Sequence, residues 1–101
     1  MRTQWKTLVG AALLWLLALP VHAQSMLIVG DSISAAFGME IEQGWVSLLE
    51  QRLEAKNHEV EVINASVSGD TTAGGLARLA PLLERHAPAL VIIELGGNDG
   101  L

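Results

Sequence analysis

Two short runs, Met26–Val29 and Leu90–Ile93, are apolar at every position rather than at alternate ones. A strand wetted on one face alternates, because successive side chains point to opposite sides; a run without alternation is buried on both. Between these runs, Ile41, Trp45, Leu48, Leu49 and Leu53 recur at steps of three and four, as do Leu76, Leu79, Ala80 and Leu83. That is the period of an amphipathic helix. Glu59–Ile63 alternates glutamate with valine or isoleucine and reads as a strand at a sheet edge, with one wetter face. The order is strand, helix, strand, helix, strand. Such βαβ units give an α/β fold with a parallel sheet, in which the fully apolar third strand, Ala89–Leu95, should be central.

The element ends carry their own signals. The first helix is expected over 41–56, with Glu40 and Glu42 near its start, Arg52 and Lys56 near its end, and Asn57 as a left-handed stop. Asp70, Thr71 and Thr72 are all good N-caps for the second helix, which Ala87-Pro88 ends. Pro81 removes one backbone donor and crowds the carbonyl of Ala77, so a kink or break is expected near Ala80.

The N-terminal stretch reads as an export signal: Arg2 and Lys6, an apolar run Leu8–Leu19, then small residues before a cleavage point after Ala23. The run is about 12 residues and reaches only ~18 Å as a helix, short of a ~30 Å hydrocarbon core, so no stable membrane anchor is expected. Loss of residues 1–23 leaves four basic against eleven acidic residues, a net charge of −7. That balance argues against nucleic acid as a partner and gives no reason for binding anionic membranes. Without cysteine there are no disulfides, no thiolate nucleophile and no zinc-thiolate site. A domain near 80 residues buries only a little over ~60% of its unfolded surface, so further chain is expected in the natural protein.

In a parallel sheet the exit loops after Gly30, Asn64 and Leu95 emerge on one rim. Ser32, Ser68-Gly69 and Asn98 are thereby brought together from far apart in sequence. Singly, each is an ordinary turn or cap residue. Jointly, they offer what acyl transfer needs: a hydroxyl, and donors about 3 Å from a developing oxyanion in the Ser32 and Gly69 backbone N–H groups and the Asn98 amide. Metal binding has no support, because no His or carboxylate pair sits at ligand spacing on that rim. His22 leaves with the signal, and His58 and His86 precede their strands, ~17–23 Å from the rim. Asp70 and Asp99 lie on the rim but read as caps or loop braces, since a carboxylate with pKa near ~4 is a poor base for a serine hydroxyl.

Gly30-Asp31-Ser32-Ile33, Ser68-Gly69-Asp70 and Gly96-Gly97-Asn98-Asp99 resemble the first three motif blocks of the SGNH hydrolases, or GDSL esterases. The wording of Asn64–Thr71 and Gly75–Leu79 is most similar to the periplasmic thioesterase and arylesterase branch, which includes lysophospholipase activity. The resemblance implies a flavodoxin-like sheet with Ser32 as nucleophile, the Ser32 and Gly69 N–H groups and the Asn98 side chain as oxyanion hole, and Asp31 as structural support. It also implies a small-molecule acyl ester or thioester substrate and no cofactor. Residues 24–101 would be the N-terminal portion of the hydrolase domain. Ile33 stands where the motif has leucine, and Ala36 replaces a common glycine. The last block, Asp-x-x-His, which supplies the general base and the residue orienting it, does not occur in the sequence, so little turnover is expected of this chain alone. Two readings of another class stay open: an exported module that binds acyl chains without hydrolysing them, and a receiver-like domain phosphorylated on Asp99 or Asp31. The export signal argues against the second.

Overall fold

The computed structural model describes residues 24–101; the expected export signal and its cleavage point lie outside them. β1 (Gln24–Gly30) runs between β2 (Val60–Asn64) and β3 (Leu90–Glu94), and both neighbours are parallel to it. The central position explains the unbroken apolar run, because Leu27, Ile28 and Val29 are covered on both faces and make the core. α1 (Trp45–Ala55) packs on β2, and α2 (Thr72–His86) packs on β1. The result is an α/β unit with a three-stranded parallel sheet, a partial flavodoxin-like arrangement. Among the described residues no helix is long and apolar enough to cross a membrane.

Several element ends follow local chemistry. Asn57 adopts the left-handed conformation, φ 58°, and the amides of Asn57 and His58 return to the carbonyls of Glu54 and Leu53. Those paired bonds form a Schellman closure. Thr71 caps α2, its side chain accepting the Gly74 N–H at 3.0 Å.

Four expectations are corrected. α1 begins at Trp45 rather than Ile41, because Gly44 is extended and a short 3-10 turn, Ile41–Gln43, precedes it. Glycine at 44 also leaves room for Ala36, whose Cβ would lie 2.8 Å from a Cβ added there. Of the kink or break expected near Ala80, the break does not occur: α2 runs continuously through Pro81, where the ring removes a single ladder donor and the turns on either side carry the helix across. The α2 leucines do not form the buried stripe: Leu76 is 73% exposed, while Gly75 is buried against Leu95 and Val29. β3 is not central in the described sheet, since β1 is its one partner there and Ile93 is 60% exposed. These last two share a cause. The outer edge of β3 and the adjoining flank of α2 border an open apolar cleft of about 220 Å³, lined by Leu76, Leu79, Ile93 and Leu95 among others.

Candidate active site

Parallel pairing on both sides of β1 places the loops after Gly30, Asn64 and Glu94 on one rim. They are tied to one another by hydrogen bonds. The Val67 N–H donates to the Gly30 carbonyl at 3.0 Å, joining the second loop to the end of β1. The Asn98 carboxamide donates to the Asp70 carbonyl at 2.9 Å, joining the third loop to the second. Gly97 lies beside the first loop, where an added Cβ would be 3.9 Å from Asp31 Oδ2.

Ser32 sits in a tight turn. Asp31 is buried at 3% exposure, and its Oδ1 accepts the Ile33 N–H at 3.0 Å. This Asx turn closes around the serine. The Ala35 N–H donates to the Asp31 carbonyl and the Phe37 N–H to that of Ser32, both at 3.0 Å. The backbone N–H groups of Ser32 and Gly69 donate to no acceptor among the described residues. Gly69 has φ 83°, a backbone that only glycine takes without strain, and a Cβ there would meet nothing within 4 Å. Asn98 keeps its second amide hydrogen beyond the bond to Asp70.

Asp70 and Asp99 brace the loops. Asp70 pairs with Arg78 at 2.8 Å and accepts the Thr71 N–H at 3.0 Å. The helix cap itself is Thr71. Asp99 takes both the backbone N–H and the hydroxyl of Thr72 at 2.8 Å, and the N–H above all, then the hydroxyl, hold its carboxyl below the usual carboxylate value. A carboxylate at the start of α2 also suits the helix dipole. His58 and His86 lie before β2 and β3, at the far end of the sheet. Among the described residues no three His, Cys, Asp or Glu side chains are grouped to hold a metal ion.

Sequence reasoning passed over three polar residues. Arg78 reaches the end of β1 and the second exit loop, donating to the carbonyls of Gly30 and Ala65 as well as pairing with Asp70. Glu94 and Ser34 are joined at 2.8 Å beneath the Ser32 turn. The strand register, which pairs Gly30 with Glu94, is what brings Glu94 there, and apolar patterning does not reveal it.

Residues 28–101 match the model of the GDSL-like Lipase/Acylhydrolase family. The chain is 59% identical to Esterase TesA of Pseudomonas aeruginosa over 92 residues, covering 91% of this chain and 46% of that protein. It is 54% identical to an arylesterase of Vibrio mimicus over 79 residues, covering 78% of this chain and 40% of the relative. A crystal structure of TesA superposes with a TM-score of 0.74 at 62% identity, across 76% of this chain and 43% of that one. The chain thus spans less than half the length of these relatives. With the sheet, the interlocked loops and the family match in agreement, the chain belongs to the GDSL-like lipase/acylhydrolase family, the SGNH hydrolases.

Proposed function

We propose that this chain carries the nucleophile and oxyanion hole of a serine esterase or thioesterase. The Ser32 hydroxyl attacks the acyl carbon of a carboxylic ester or thioester. The carbonyl oxygen becomes an oxyanion, held by the N–H groups of Ser32 and Gly69 and by the Asn98 carboxamide. The carbon–oxygen or carbon–sulfur bond breaks, the alcohol or thiol leaves with a proton, and the acyl group stays on Ser32 until water releases it as the acid. Asp31 holds the turn. The observation that carries this reading is the bond from Asn98 to the Asp70 carbonyl, one residue after Gly69. It sets the third donor against the loop of the second.

The family resemblance assigns the base that takes the Ser32 proton, and the acid residue orienting it, to an Asp-x-x-His block, a pattern the 101 residues do not contain. The chain by itself turns over little, because loss of a triad member removes orders of magnitude in rate. The protein is exported and processed after Ala23, so Edman sequencing of the mature form should begin at Gln24.

A fluorophosphonate probe tests the assignment on the chain extended through its Asp-x-x-His block. Peptide mapping should find the label on Ser32, and Ser32→Ala should abolish it. Acetyl phosphate labelling of Asp99 or Asp31, with no fluorophosphonate adduct, would replace the esterase reading by the receiver. Failure of both reagents, with an acyl chain retained, would leave a binding module.

A further inference from the structure

We infer that Glu94 is a positioning residue for the Ser32 turn, acting through Ser34 and the Asp31 N–H; this rests on Ser32 being the nucleophile. Glu94 is the last residue of β3 and the register partner of Gly30, the last residue of β1. Its Oε1 accepts the Ser34 hydroxyl at 2.8 Å and the Asp31 N–H at 3.3 Å. The Ser34 oxygen in turn accepts the Trp45 indole N–H at 3.0 Å. One hydroxyl therefore has its donor direction and its acceptor direction both fixed, by side chains from β3 and α1. From a third side, Asn64 at the end of β2 donates its amide to the Ser34 carbonyl at 2.8 Å. Ser34 is 2% exposed, so water does not compete for these partners.

Gly30 makes room for the arrangement. A Cβ at that position would lie 2.6 Å from Ser34 Oγ and 3.0 Å from Glu94 Oε1, inside the space the hydrogen bond occupies. The glycine that opens the motif is thus required by the contact beneath the turn, separately from any approach by substrate.

The consequence falls on Ser32. Asp31 is held by Glu94 at its N–H, Ile33 by the Asp31 carboxylate, and Ser34 by Glu94, Trp45 and Asn64. Ser32 is the residue these anchors enclose, and its own N–H is left without an acceptor among the described residues. An oxyanion hole works because its donors do not have to move when charge develops, and a nucleophile displaced by about 1 Å loses on the order of 100-fold in rate. Clamping the neighbours while leaving the Ser32 N–H unused meets both demands.

The test compares Glu94→Ala, Glu94→Gln and Ser34→Ala in the extended chain, read by fluorophosphonate labelling rate, kcat, KM, the Trp45 indole N–H resonance and the urea midpoint. Glu94→Ala should slow labelling and lower kcat by roughly 10- to 100-fold, change KM by less than about 3-fold, and shift the indole resonance. Glu94→Gln keeps an acceptor at Oε1 and should recover most of the rate. Ser34→Ala, which removes a single oxygen, should move the same readouts in the same direction if Glu94→Ala does not fold. A lower urea midpoint with unchanged labelling of the folded fraction would overturn the inference and leave Glu94 a stabilising residue. A wild-type chain that does not label at Ser32 would instead sink the nucleophile assignment beneath it.

Discussion

The Asn98 carboxamide donates to the Asp70 backbone carbonyl across 2.9 Å, linking residues that α2 and β3 separate in sequence and that the strand order brings together. A primary amide has two hydrogens. The bond to Asp70 uses one and fixes the plane of the group, so the direction of the other is set before any substrate arrives.

The first prediction follows from that division. Asn98→Ala should lower kcat on a short acyl ester by about 100- to 1,000-fold, the usual effect of losing one oxyanion donor, with a much smaller change in KM. Asn98→Asp should do worse, because an ionised carboxylate donates nothing and repels the oxyanion. Steady-state kinetics on the extended chain decide the matter. A rate within a few-fold of wild type in Asn98→Ala would leave the residue as a loop tie alone.

Gly69 separates backbone strain from chemistry. Its φ of 83° costs an alanine about 1–2 kcal/mol, and no atom within 4 Å adds a clash. Gly38 makes a control, since it has φ 80° and equally open surroundings. Gly69→Ala and Gly38→Ala should lower stability to urea by similar amounts, and the first alone should slow fluorophosphonate labelling. Equal labelling rates in the two variants would count against a role for the Gly69 N–H.

Much of this architecture was legible in the chain. The all-apolar Met26–Val29 and Leu90–Ile93 runs, the alternation in Glu59–Ile63 and the helical periods on either side of it fix the element order, and that order makes the sheet parallel and gathers the loops. Asn57 stops α1 as its residue type suggests. What stayed hidden depends on contacts between elements. Gly75, rather than the leucines around it, meets the sheet, because Leu95 and Val29 fill the space a side chain would take. Ile93 and Leu76 are apolar yet exposed at a flank that no described residue covers. Arg78 and Glu94 look like surface charges in sequence. Only the placement of the Gly30 carbonyl near Arg78, and of Ser34 near Glu94, turns them inward.

Asp99 gives a pH prediction. Its folded-state pKa lies below the ordinary value of 3.8, chiefly through the Thr72 backbone N–H and then its hydroxyl. A depressed folded value means the contact stabilises the fold above the unfolded pKa, and that this contribution disappears as the pH falls through the lower folded one. The Asp99 carboxyl carbon should therefore titrate below 3.8, with the Thr72 amide following the same midpoint. Thr72→Val keeps the backbone donor and should raise that midpoint only part of the way. A midpoint at or above the ordinary value would contradict the geometry.

Arg78 offers the sharpest contrast between charge and shape. The guanidinium pairs with Asp70 at 2.8 Å, donates to the Ala65 carbonyl, and reaches the Gly30 carbonyl at 3.4 Å. A partly exposed ion pair contributes little by itself, on the order of 0–1 kcal/mol. The larger effect is on the acceptors: the buried Gly30 carbonyl keeps the Val67 N–H, but the carbonyl of half-buried Ala65 loses its donor among the described residues, and an unpaired buried carbonyl costs about 1–3 kcal/mol. Arg78→Ala should destabilise by roughly that amount. Arg78→Lys keeps the charge but presents a single nitrogen in place of a planar fork. It can satisfy Asp70 or one carbonyl, not both loops at once, and should recover less than half of the loss. Urea midpoints of the two variants measure this directly: full recovery by lysine would show that charge, rather than the fork across Gly30, Ala65 and Asp70, joins the loops of the site.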